Sequence, residues 1–189
     1  MTDDEVLAEF RAAEALLEGH FILSSGLRSS RFLQCARVLM DPKRASRLAE
    51  ALATKITTPI DIVISPAMGG VIIGHEMGRA LGVEALFLER PDGVFELRRG
   101  FRLTPGQRVL MVEDVVTTGL SSREAIKAIT AAGGNVIAAA ALVDRSDGVA
   151  DLGVPFTPLV RLAVPSYEAD NLPPDIAAIP AIKPGSRAS

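Results

Sequence analysis

The chain has 189 residues, of which 48% are hydrophobic and 23% charged, with a formal net charge of −3. That length suits one domain with a core of its own, and the weak acidity argues against a basic field for nucleic acid or anionic membrane. Cys35 is the single cysteine, so no intramolecular disulfide can form, and no Cys/His set has zinc spacing. The start Met1-Thr2-Asp3-Asp4-Glu5 is the reverse of a signal peptide's positive end, and the longest apolar run, Val136 to Val143, is too short for a membrane span. The expectation is a soluble, cytoplasmic protein.

Taken in order, residues 3–18 read as a helix, with Val6, Leu7, Phe10, Ala13, Leu16 and Leu17 at helical spacing and Gly19 as the stop. His20 to Leu23 reads as a short strand and 24–30 as a polar loop, with His20 facing the loop. Arg31 to Met40 reads as extended. Asp41-Pro42 is an N-cap followed by proline in the first turn, opening a helix to about Ile56. From there strands and helices alternate: strand Asp61–Ser65, tight loop Pro66–Gly70, helix Val71–Leu81 stopped by Gly82, strand Glu84–Glu89. His75 falls inside that helix as a structural residue. Pro91-Asp92-Gly93 is a turn and Val94–Phe101 the return arm of a hairpin. After the turn Thr104-Pro105-Gly106 comes an apolar strand from Val109, then a helix Ser121–Ala132 with Ser121 and Glu124 in capping-box spacing, then strand Asn135–Asp144. Seven of the twelve prolines lie between Pro155 and Pro184, so the end should be one strand near Pro158–Val164 and an irregular tail packed on the domain. Continuous apolar strands alternating with helices predict a parallel sheet covered on both faces.

The chemistry concentrates in Val109–Ser122, VLMVEDVVTTGLSS. Ligands of open parallel sheets bind beyond the carboxyl ends of the strands, where Glu113 and Asp114 fall. Alternation sends the two acids to opposite sides, so they are not expected to share a metal. They can accept hydrogen bonds from the vicinal hydroxyls of a sugar, directly or through a cation. The following segment, Val115, Val116, Thr117, Thr118, Gly119, Leu120 and Ser121, offers backbone N–H groups, hydroxyls and a helix N-terminus. Such a turn can cradle a phosphate. The bland alternative is a strand–loop–helix junction with polar caps.

The run VLMVEDVVTTGLS resembles the phosphoribosyl diphosphate (PRPP) signature of the type I phosphoribosyltransferases. The resemblance implies that fold: α/β, a mostly parallel sheet with helices on both faces plus a small hood from the chain's two ends. It implies one domain over 1–189, with the core at about 40–150 and the hood at about 1–40 and 150–189. Glu113 and Asp114 would hold the ribose and residues 116–121 the 5-phosphate, with Val115 between them in the PRPP site. Three further stretches resemble orotate phosphoribosyltransferases: FILSSGLRSSRF (21–32), LVDRSDG (142–148), and DVVTTG with its threonine next to the base. Arg145 would then take the carboxylate of orotate through its planar fork, Thr117 would hydrogen-bond the base and Phe32 would cover it. The plainer readings are a surface ion pair of Arg145 with Asp144 or Asp147, and a core role for Phe32. The loop Ala67, Met68, Gly69 and Gly70 stands where the family binds diphosphate; otherwise it is a glycine turn.

The chain departs from the family pattern in three places. Ser24 stands where many members have lysine, and Met68-Gly69 where many have Tyr-Lys. The long, lysine-rich catalytic loop is replaced by the compact ERPDGVFELRRGF (89–101), with no lysine between Lys55 and Lys127. Arg90, Arg98 and Arg99 are the candidates to take over its work on the diphosphate, against an ordinary surface hairpin. The resemblance implies orotate and PRPP as substrates, Mg²⁺ carried on the diphosphate, no nucleic acid or membrane partner, and a homodimer whose loops reach across. A purine phosphoribosyltransferase and a non-catalytic PRPP-binding regulator are the alternatives. The basic end Lys183–Arg187 reads as a disordered tail or as a stand-in for the missing lysine.

Overall fold

The structure is a computed structural model that describes residues 1–23 and 25–184. Ser24 and the end of the basic tail, residues 185–189, lie outside the described residues.

The chain opens with helix α1 (Asp3–Ala12), whose N-terminus is closed by a reciprocal capping box between Thr2 and Glu5. The expected helix to residue 18 is corrected here. The chain turns at Glu14, where φ is +50°, and Leu16–Ile22 becomes strand β1. Pairing decides it: Leu16 and Leu17 lie opposite Leu33 and Phe32 of antiparallel β2 (Arg28–Leu33), and these long-range partners override the helical spacing. The loop expected at 24–30 is accordingly shorter. His20, expected to face the loop, is buried in β1, with Nδ1 2.9 Å from the carbonyl of Ile179. The extended reading of 31–40 also fails after Leu33. One helical turn, α2 (Cys35–Leu39), buries Cys35, Val38 and Leu39 at i, i+3 and i+4. Helix α3 (Pro42–Ala53) starts as expected, with the Asp41 carboxylate accepting from the N–H groups of Lys43 and Arg44.

The remaining elements build the main sheet: β3 (Ile62–Pro66), α4 (Gly70–Leu81), β4 (Glu84–Glu89), β5 (Glu96–Leu97), β6 (Arg108–Val116), α5 (Leu120–Ala131), β7 (Asn135–Asp144) and β8 (Phe156–Arg161). Its order is β5-β4-β3-β6-β7-β8, parallel except for the two-residue edge strand β5. The hairpin arm expected over 94–101 is reduced to that edge. Pro158 is tolerated because β8 is the opposite edge. Between Arg161 and the end come β9 (Ser166–Tyr167) and a short helix α6 (Pro174–Ala177); β9 joins β1 and β2 in a small second sheet made from both ends of the chain. Ile182 bridges to Phe21 and closes it.

Alternation along the strands sorts the core. Val63, Leu110, Val112, Ala138, Ala140 and Leu142 pack with α1, α2, α3 and α4 on one face. Ile62, Ile64, Val109, Met111, Ala139 and Ala141 pack with α5 on the other. No helix among the described residues is long and apolar enough to cross a membrane. Leu110 is fully buried in the central strand. Leu110→Ala should therefore cost about 2–5 kcal/mol of stability in a denaturant titration.

Candidate active site

The strand order reverses between β3 and β6. After β3 the chain moves outward to β4, then returns to the other side of β3 and continues outward through β7 and β8. The crevice beyond the carboxyl ends of β3 and β6 is thus the expected ligand position. Two sequence-marked segments meet there: Ala67–Gly70 leaving β3, and Glu113–Ser121 leaving β6.

Their contact is close. A Cβ on Gly69 would lie 2.8–2.9 Å from the carboxylate atoms of Asp114, and one on Gly70 would be 3.0 Å from the carbonyl of Val112. Glycine is required so that this turn can lie directly against the acid. Gly69→Ala should displace the Asp114 carboxylate and weaken binding of a phosphorylated sugar about tenfold, measurable by calorimetry; unchanged affinity would show that the contact is dispensable.

The two acids diverge as alternation requires. Asp114 continues the face of Leu110 and Val112, over Gly69, and caps the N–H of Val115 at 2.9 Å. The carbonyl of Asp114 lies 3.7 Å from the Cys35 thiol. Glu113 continues the face of Val109 and Met111 and meets Ser121 Oγ at 3.4 Å. It is 7% exposed. Burial and the neighbouring Asp114 charge push the Glu113 carboxyl up to about 8, against some relief from Ser121 and Arg90. Burial also raises Asp114.

Beyond them Thr117 and Thr118 are exposed, and Gly119 takes φ +75° as the N-terminal residue before α5. The capping box expected between Ser121 and Glu124 does not form, because the helix begins one residue earlier and Gly119 holds the cap position. Ser121 turns to Glu113 instead, and Glu124 pairs with Arg90. The first N–H group of α5, that of Leu120, donates to Thr118 Oγ1 at 3.4 Å; the next ones have no intrahelical acceptor, the usual setting for an anion at a helix start. A cleft of about 270 Å³ opens there, lined by residues 115–122, by Glu124 and, from the hairpin, by Arg90.

Arg145 follows β7, and its N–H donates to the carbonyl of Val116 at 2.8 Å, which sets it beside the start of this turn. It is half-buried, and no ion pair to Asp144 or Asp147 forms. Its Nε is buried without an acceptor, and burial lowers its pKa. Phe32 lies in the small sheet, its ring 5.8 Å from that of Phe21. The hairpin arginines divide. Arg90 stacks 3.9 Å over Phe95 and reaches the cleft. Arg98 and Arg99 are held by Glu89 at 3.7 and 2.6 Å. Cys35, Asp144 and Glu124 also shape the site. Asp144 carried a sequence signal as the acid beside Arg145, whereas Glu124 was read as part of a helix cap and Cys35 only as the single cysteine.

A strand-end acid pair, a glycine turn and a helix N-terminus at a switch point are features of sugar-phosphate transferases, and the phosphoribosyl transferase domain family matches residues 37–153. An orotate phosphoribosyltransferase of Rhizorhabdus wittichii is 77% identical over 100% of this chain and 98% of its own. One of Novosphingobium aromaticivorans is 72% identical over 100% and 99%. A structure of the Mycobacterium tuberculosis orotate phosphoribosyltransferase in complex with PRPP superposes with TM-score 0.67 at 22% identity, covering 84% of this chain and 96% of that one. The fold is therefore that of the phosphoribosyltransferases. Within them, this chain belongs to the orotate phosphoribosyltransferase family.

The raised Glu113 sets a pH dependence. Below about 4.5 the carboxyl is protonated whether folded or unfolded, and it costs nothing. As pH rises from there to about 8, the unfolded chain ionises first and stability falls; above 8 the cost is constant. Thermal melts of the ligand-free protein should show this decline between pH 4.5 and 8, and Glu113→Gln should flatten it. Parallel curves for the two proteins would refute it.

Proposed function

We propose that the protein transfers the phosphoribosyl group of PRPP to orotate, giving orotidine 5-phosphate and diphosphate in the synthesis of pyrimidine nucleotides. The observation that carries this reading is Arg145, a half-buried arginine whose backbone N–H is bonded to Val116 at the start of the turn and whose Nε lacks an acceptor. A buried donor left unpaired is costly, and the carboxylate of orotate would satisfy it through charge-assisted hydrogen bonds. A purine has no carboxylate to offer there.

The remaining roles follow from position. Glu113 and Asp114 would accept from the ribose hydroxyls, residues 116–121 would hold the 5-phosphate, and Thr117 would meet the base. Phe32 of the small sheet would cover the pyrimidine, with that sheet acting as the hood of a single domain spanning the chain. Ala67–Gly70 would bind the diphosphate through backbone amides. As the bond between ribose C1 and the diphosphate oxygen breaks and the bond to the base nitrogen forms, positive charge grows on the ribose and negative charge on the leaving group. Arg90, Arg98 and Arg99 would stabilise the latter. Mg²⁺ would arrive on the diphosphate, since it favours phosphate oxygens and water. The two acids point to opposite faces, which suits contact with such an ion through water rather than a shared site. A homodimer belongs to the same reading, as the family resemblance implies. A cytoplasmic location suits this metabolic role.

Mixing protein, PRPP and Mg²⁺ with orotate should deplete the absorbance of orotate and release diphosphate. A PRPP-binding regulator would release none. Arg145→Ala should lower kcat/KM for orotate about 100-fold, the loss of a desolvated charge pair. Unchanged orotate turnover in that variant would remove the orotate assignment.

A further inference from the structure

The residue before Arg145 is an acid, yet the two do not pair. Asp144 is the last residue of β7 and is fully buried. Its Oδ1 accepts from Ser146 N–H at 2.8 Å and from Ser146 Oγ–H at 2.6 Å, and its Oδ2 accepts from Gly148 N–H at 3.1 Å. Arg161, on the neighbouring strand β8, approaches the same Oδ2 at 3.6 Å. Ser146 Oγ in turn accepts from the N–H of Ala150 at 3.0 Å. The loop 145–150 is therefore wound around one carboxylate from inside. Both ends of Arg145's backbone are anchored, through its own N–H on Val116 and through Ser146 on Asp144.

We propose that Asp144 is a positioning residue for substrate selectivity: it fixes the loop that aims Arg145, and its own charge is consumed inward so that it cannot neutralise that guanidinium. A carboxylate free to rotate beside Arg145 would compete with an incoming carboxylate for the same planar fork. Here the competing acid is saturated by two backbone N–H groups, a hydroxyl and a second arginine. This rests on the reading that Arg145 receives the carboxylate of the pyrimidine.

The test compares wild type with Asp144→Asn and Ser146→Ala. For each, binding of orotate, of uracil (the same ring without the carboxylate) and of PRPP is measured, with a thermal melt as the fold check. Asp144→Asn keeps one acceptor but loses the charge and the bond from Gly148. Ser146→Ala keeps the carboxylate and its backbone bonds and removes the hydroxyl that links Oδ1 to the N–H of Ala150, so it serves where the Asn variant does not fold. The expected result is an orotate affinity about tenfold lower, with PRPP affinity unchanged and preference for orotate over uracil reduced in the same proportion. Orotate affinity within twofold of wild type in a folded variant overturns the proposal. A parallel loss for all three ligands also overturns it, since that is general destabilisation. If wild-type protein itself shows no preference for orotate over uracil, the fault lies in the reading of Arg145 and not in Asp144.

Discussion

The site depends on the register of β6 between β3 and β7. Ile62, Val63 and Ile64 lie opposite Val109, Leu110 and Met111, and Val115 and Val116 lie opposite Val143 and Asp144. Because β3 ends sooner, β6 runs beyond it and carries Glu113 and Asp114 into the crevice over the glycine turn. Because β7 keeps pace with β6, Arg145 emerges beside Thr117. A slip of one residue would exchange the faces of the two acids, taking Asp114 from Gly69 and Glu113 from Ser121. The core prevents it, since the same slip would turn Leu110 and Met111 toward the wrong layers. Packing in the sheet thus sets the geometry of the polar groups at the site.

The electrostatics of the crevice follow from that placement. Two adjacent carboxyls are held on opposite faces and largely out of water, and both have raised pKa values. A guanidinium stands nearby with a buried donor unpaired. Each state is unfavourable alone. A ligand that brings hydroxyl donors to the acids and a carboxylate to the arginine relieves them together, so part of the site's own desolvation cost becomes selectivity for such a ligand. The neighbouring charges are treated differently: Asp144 is saturated by its loop, and Glu89 and Glu124 are tied to arginines.

Much of this was legible from residue order. The alternation of strands and helices after Asp41 placed β3, α4, β4 and β7 within about a residue of their observed ends, because each is bounded by Gly, Pro or Asp acting through local backbone preference. Opposite faces for Glu113 and Asp114 followed from strand alternation alone. The first 40 residues resisted the same reading. Leu16 and Leu17 continue a helical stripe, and only their partners Leu33 and Phe32, which local spacing cannot reveal, make them a strand. The capping box at Ser121 failed for a related reason. Gly119 in the left-handed region starts the helix early, and Ser121 has a stronger partner in the buried Glu113. The loop bonds of Asp144 depend on the turn at 146–148, where Asp147 has φ +58°.

The substitution of arginine for lysine around the crevice has a consequence for chemistry. A lysine in a low-dielectric site can lose its proton and act as an acid; an arginine does not at any working pH. If the hairpin arginines serve the departing diphosphate, they do so by charge and by fork geometry alone. That would be sufficient for a leaving group that Mg²⁺ neutralises in part, since it could depart as an anion without a proton. Their present partners are compatible with that task. Glu89 holds Arg98 and Arg99, and Glu124 holds Arg90, in exposed or half-exposed pairs on the protein surface. Such pairs contribute at most about 1 kcal/mol, so a polyanion carrying several charges can displace the carboxylates. Arg90 is the best placed of the three, since Phe95 stacks beneath its guanidinium and the phosphate turn forms the wall opposite.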